Sequence, residues 1–245
     1  MAWYAYCISE QSSYQQGRVR RPFLIESLKG VNAGPVRGFP CGDFVVIVSE
    51  VEHGVALGQQ AAMEHARIVS ECFKVATLLP FKFGTIFESD ESLRHAVRNN
   101  KKTFADSIAG LRGKSEMHIK VTVREGMAVA EVLQMLPHKA GGEYLTKLRE
   151  QASRDRERQS RARALSVQVN KLLNPLQEEV SCRKVETGIV LDIAHLIHSD
   201  GVEKYQSRYS TALRQFKGVE ISMTGPWPPY HFMPAPGKVR TVVNS

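Results

Sequence analysis

Long apolar runs are missing from this 245-residue chain. A bilayer-spanning helix needs about 20 mostly apolar residues, and stretches such as Phe44–Val48 reach only the length of a buried strand. The opening MAWYAYCISE has neither the basic start nor the long apolar core of a signal peptide. The cytoplasm is therefore the expected compartment, and no membrane partner is expected. Cysteine is sparse. Cys7, Cys41, Cys72 and Cys182 lie far apart with no C-x-x-C pair, which argues against structural zinc and for small buried hydrophobes.

Catalytic signatures are scarce as well. Gly113-Lys114-Ser115 resembles the end of a phosphate-binding loop, but Ile108 stands where that loop needs its first glycine. A helix is expected before it, so the amides that cradle phosphate are not arranged for it. No Ser or Cys sits in a G-x-S-x-G elbow. His195 and His198 suggest a metal pair only on a helix; on the strand expected there, residues three apart point to opposite faces. Asp90-Glu91 and Glu178-Glu179 are explained by helix capping and solvated ends. No catalytic residue, metal site or cofactor is expected, and the chain reads as non-enzymatic.

What is present is an ordinary globular composition, 42% hydrophobic and 24% charged, with a net charge of +8. The positive charge is concentrated. From Lys147 to Arg163 there are seven Lys or Arg against three acids. Glu150, Asp155 and Glu157 permit ion pairs along a helix, and no aromatic is interleaved, as a single-strand binder would want. A solvated helix face is the favoured reading. A basic nucleic-acid-binding module using residues 147–163 is the alternative.

Periodicity outlines the elements. Trp3–Ser9 and Phe44–Ser49 are expected strands and Pro22–Ser27 a short one. Residues 10–21 and the Gly- and Pro-rich Gly30–Gly42 are expected loops. Leu57–Leu79 reads as a helix ended by Pro80, Phe81–Phe87 as extended. A helix capped by the Ser89–Glu91 run comes next, with Leu93, Val97, Phe104, Ile108 and Leu111 on one stripe. A second domain then begins. Ile119, Val121 and Val123 alternate in a strand, and Glu143–Leu176 reads as a long helix. Cys182–Glu186 and Ile189–Ile197 form a hairpin across Thr187-Gly188, Val202–Phe216 a helix, and Val219, Ile221 and Met223 a last strand. The expected fold is α+β in two domains, with helices over one face of each sheet. Residues 1–113 form a small mixed sheet with two helices. Residues 114–233 form a ferredoxin-like βαββαβ domain, and 234–245 a tail.

Thr224–Phe232, TGPWPPYHF, is the least ordinary segment. Its prolines favour a stiff, extended chain, whose Trp227 and Tyr230 either pack back onto the domain, the favoured reading, or form an exposed docking strip. It resembles the T-G-P-W-P-P-Y-x-F signature of the gas-vesicle F/L family. Other landmarks come in that family's order: Tyr4-Ala5-Tyr6, His65 on the first helix, Leu79–Phe87 (LPFKFGTIF), Leu111–Glu116 and then Lys120-Val121, and Gly142–Leu145 with Arg149. Departures are Cys7 for a glycine, Ala66 for an acid, Lys82 for an arginine and Met117 for a tryptophan. The resemblance implies an accessory protein in gas-vesicle assembly. The partners it implies are the small hydrophobic shell protein and other gas-vesicle accessory proteins, with the gas vesicle as location. Phe81, Lys82, Phe83, Trp227 and Tyr230 are the candidate partner-binding residues.

Overall fold

The computed structural model describes residues 2–14, 27–52, 56–124, 160, 162–185, 188–216 and 219–233. The chain divides into two compact units, Met1–Ser115 with Trp227–Ser245, and Glu116–Pro226. The expected division had kept residues up to 233 in the second domain; in the structure the end of the last strand and the residues after it group with the first unit.

The first unit is built around β1 (Ala2–Glu10). It lies between β3 (Phe44–Val51) and β4 (Leu78–Pro80), with β2 (Val36–Cys41) beyond β3, and β5 (Ile86–Phe87) also pairs with β1. Ala2 to Ile8 are all buried, because β1 is covered on both sides. Adjacent residues show this, since neighbours on a strand point to opposite faces. Tyr4 meets His65 of α1 (Gln59–Phe73), while Trp3 Nε1 donates to Asp90 of α2 (Asp90–Asn99) at 2.7 Å. The expectation of helices on one face is thus corrected for this unit. The β1–β3 register shifts between Ala5 and Cys7, leaving Tyr6 as an extra residue. That bulge lets Tyr4, Tyr6 and Cys7 enter one core with Ile68, Val69 and Cys72 of α1.

Three further expectations are corrected by the structure. The Gly- and Pro-rich stretch contains β2, an edge strand, where Pro40 can lack its N–H without breaking a ladder. Its hairpin to β3 turns at Gly42, whose φ of +65° suits glycine. The first helix ends at Phe73 rather than Leu79. Leu78, Leu79 and Pro80 instead pair with Ser9, Ile8 and Cys7. The helix expected after Ser89 is two helices, α2 and α3 (Lys101–Leu111), giving this unit three among the described residues. Asn100 separates them at φ −109°, ψ 13°, and its side-chain amide bonds the Ala96 carbonyl at 2.8 Å, a local bond that competes with helix continuation. The start of α2 is a capping box in which Ser89 and Ser92 bond each other's amides at 3.1 Å. Gln11–Tyr14 is a 3-10 turn, and Pro22–Ser27 lies, but for Ser27, outside the described residues.

The second sheet runs in the order β7-β8-β6-β9, from β6 (Lys114–Arg124), β7 (Gln177–Val185), β8 (Gly188–His198) and β9 (Glu220–Trp227). Helix α4 spans residues 162–173 and α5 Val202–Leu213. Met117, Ile119 and Val121 of β6 join Leu191, Ile193 and Ile197 of β8, Val169 and Leu173 of α4, and Tyr205 and Ala212 of α5 in one core. Helix α4 stops at Leu173, not Leu176, because Asn174 turns left-handed at φ 49° just before Pro175. Helix α5 stops at Leu213, short of Phe216. Of the basic run, only Ser160, Ala162 and Arg163 fall among the described residues.

Candidate partner-docking elements

The turn between β4 and β5 carries three of the five candidate residues. Phe81 N–H donates to Tyr6 O at 2.9 Å, and Ala5 N–H to Thr85 O at 2.9 Å, so both ends are tied to the β1 backbone. Within the turn, the Thr85 amide and hydroxyl both donate to Lys82 O, at 3.1 and 2.7 Å. Gly84 takes φ +84° there, a conformation a side chain resists. Phe81 packs its ring on Phe87, 5.9 Å between centroids. Lys82 points to solvent, and Phe83 is 44% exposed. The stretch expected to be extended is therefore a pinned turn presenting one aromatic ring.

Beneath Phe83 lies a buried aromatic network. Its ring meets Tyr4 edge-on at 6.5 Å and His65 at 6.0 Å. Tyr4 and Tyr6 pack at 5.0 Å. The Tyr4 hydroxyl accepts from Gly84 N–H at 3.3 Å and stands 2.9 Å from His65 Nδ1. Donation from that hydroxyl to Nδ1 would place the histidine proton on Nε2. Nε2 is buried without a hydrogen bond of normal geometry. Burial lowers the His65 pKa to about 4, opposed by the Phe81 backbone. Burial also raises Tyr4 to about 12 and raises Tyr6. The Tyr6 hydroxyl accepts from Val31 N–H at 2.7 Å and donates to Ser49 Oγ at 3.0 Å. Around neutral pH these groups are uncharged. They form a rigid seat rather than an acid–base pair.

The other two candidates lie on the exit of β9. Gly225, at φ +121°, brings the strand so close to β6 that a Cβ would sit 2.8 Å from Glu116 O and 3.0 Å from Met117 Sδ. The Gly225–Pro226 bond is cis. Pro228 and Pro229 are buried, while Trp227 and Tyr230 are 40% and 37% exposed. The prolines pack fully and the two aromatics in part, so the favoured reading of aromatics packing back is met only partly. Phe81, Lys82 and Phe83 share one turn; Trp227 and Tyr230 belong to a separate segment.

The remaining motifs have plain structural roles. Gly113, at φ +68°, turns the chain from α3 into β6, and Lys114 Nζ donates to Gly110 O at 2.6 Å. On β8, His195 is buried and His198 exposed, on opposite faces. His195 Nδ1 lies 2.6 Å from the Tyr205 hydroxyl, and its buried Nε2 lies 3.7 Å from Glu178. Burial lowers its pKa to about 4 and raises that of Tyr205. The roles of Tyr4, Tyr6 and His65 were not readable from sequence, where they stood only as landmarks of a resemblance.

The fold and its signature segments are those of one family. The chain belongs to the gas vesicle synthesis protein GvpL/GvpF family, whose sequence model matches residues 2–234. Gas vesicle protein L of Streptomyces sp. (strain CB03234) is 26% identical, over 87% of this chain and 90% of the relative. Gas vesicle protein L1 of Halobacterium salinarum is also 26% identical, over 96% and 91%. The crystal structure of gas vesicle protein GvpF from Microcystis aeruginosa superposes with a TM-score of 0.73 at 18% identity, covering 96% of this chain and 99% of that one. GvpF from Anabaena sp. PCC7120 gives 0.72 at 16% identity, covering 96% of each. This is a gas-vesicle accessory protein with a mixed fold, two sheets and five helices among the described residues.

Proposed function

We propose that this chain binds the small hydrophobic gas-vesicle shell protein and supports assembly of the shell, acting in the cytoplasm and at the gas vesicle. It does so without catalysis and together with other gas-vesicle accessory proteins. The observation that carries this reading is Phe83, 44% exposed on a turn tied to β1 at both ends. An exposed aromatic on a rigid seat suits apolar docking, because little ordering entropy is lost when it is covered. Trp227 and Tyr230, with Phe81 and Lys82 flanking Phe83, complete the proposed contact set. Subunits with large apolar surfaces aggregate if left uncovered, which gives such an escort its purpose.

Salt separates this reading from nucleic-acid binding through residues 147–163. Hydrophobic contacts survive salt that screens charge, whereas phosphate contacts weaken steeply. Co-purification with shell protein should persist from low to high salt and drop several-fold in Phe83→Ala, with the melting temperature nearly unchanged. Loss of shell protein at every salt, with nucleic acid retained at low salt, overturns it.

We further infer two folding domains, the second ferredoxin-like. The order strand, helix, strand, strand, helix, strand and the sheet order β7-β8-β6-β9 support this reading. Scanning calorimetry resolving two transitions would bear it out; a single transition would refute it.

A further inference from the structure

Among the described residues, β7 is an edge of its sheet. An edge strand offers a row of N–H and C=O groups to any passing strand, and proteins usually blunt it with charge. β7 is nine residues long, and residues 177–183 are all exposed. Val185 and Gly188 close its hairpin with β8 across two residues, which makes them a hydrogen-bonded pair. Such pairs alternate along an antiparallel ladder. The backbone groups of Glu179, Ser181 and Arg183 therefore serve β8, and those of Glu178, Val180, Cys182 and Lys184 face the open edge.

The sequence QEEVSCRKV changes sign about its centre. A two-fold axis at Ser181 would set Glu179 opposite Arg183, Glu178 opposite Lys184 and Val180 opposite Cys182. The same register pairs the residues whose backbone groups face outward, so charge and hydrogen bonding agree on it. A slip of two residues loses every opposed charge, and a parallel in-register pairing stacks like on like. The other edge, β9, has no such pattern, and Pro226 there lacks an N–H.

We propose that β7 pairs with β7 of a second copy of this chain, antiparallel and centred on Ser181. The pairing joins two four-stranded sheets into one continuous sheet. Opposite charges directly across a strand pair stabilise it and like charges oppose it, so the edge accepts one partner in one register and resists others.

Two measurements on the full chain test this. With Cys182→Ser removing the one exposed thiol among the four, the other three being buried, Ser181→Cys should form a disulfide-linked dimer in oxidised glutathione. The two Ser181 positions face each other as a non-hydrogen-bonded pair about 4.5 Å apart, within disulfide range. Glu179→Cys in the same background should not, because it falls four residues from its own copy. In sedimentation, Glu179→Arg and Arg183→Glu should each weaken the dimer on the order of tenfold, and an equimolar mixture of the two should recover wild-type affinity. Arg183 also pairs with Asp192 at 3.0 Å, but both side chains are exposed, so Arg183→Glu should remain folded, as circular dichroism will show. A wild-type chain that stays monomeric at every accessible concentration overturns the proposal. So does cross-linking of Glu179→Cys as fast as Ser181→Cys, or a mixture that recovers nothing.

Discussion

Tyr6 is held by more than packing. Its hydroxyl satisfies the Val31 amide and meets Ser49, and all three residues are buried. Tyr6→Phe keeps the ring but leaves a buried N–H without its acceptor, which costs about 1–3 kcal/mol. A fall in the urea midpoint with unchanged slope is the expected result. The same hydroxyl explains Gly30, where any Cβ would run into it. None of this was legible in the sequence. Tyr4-Ala5-Tyr6 reads as a strand that alternates, and the bulge that sends Tyr6 and Cys7 into one core depends on partners some 40 residues away. Trp227 was half legible for a related reason: proline stiffness fixes a direction, but how far each residue packs is decided by tertiary contacts.

Elements with a repeating pattern were legible. β1, β3, β6 and β8 are apolar or alternating, and their patterns lie within the observed strands. β2 was hidden because glycine and proline signal turns, and only its place at an edge makes them tolerable. The α2–α3 break was hidden because apolar spacing continues across Asn100, and the deciding bond is local and polar. The Ser89 cap, by contrast, is written in the sequence. Ser89→Ala removes the acceptor for the Ser92 amide and should cost about 1 kcal/mol. A drop in thermal midpoint that Ser89→Asp reverses is the expected readout. An unchanged midpoint would mean that tertiary packing alone holds the start of α2. The turn between β4 and β5 was half legible: its residues stood out, its shape did not, since the hydrogen bonds that fold it run to β1.

At the scale of the molecule, each compact unit buries a neutral histidine, His65 in the first and His195 in the second, each with a pKa lowered to about 4 by burial. An unfolded histidine titrates near 6.5, so between pH 6.5 and 4 the unfolded chain binds more protons than the folded one. Stability is full above pH 6.5 and falls as pH drops toward 4, by up to about 3 kcal/mol for each histidine. Denaturation midpoints measured from pH 7.5 to 4.5 should decline through that window, and His65→Gln should flatten part of the slope. A profile independent of pH in that range, in both proteins, would contradict the burial of these rings as neutral groups.

β1 also imposes a schedule on synthesis. It precedes every strand it pairs with, and those partners span Phe44 to Phe87. At about 5–20 residues per second, a ribosome needs roughly 4–15 seconds to travel from Glu10 to Phe87. Until β3 is finished at Val51, roughly halfway through that interval, Ala-Trp-Tyr-Ala-Tyr-Cys-Ile has no mate, and its other edge waits for Leu78 to Phe87. The nascent chain thus passes through a stage in which its own apolar strand needs shielding.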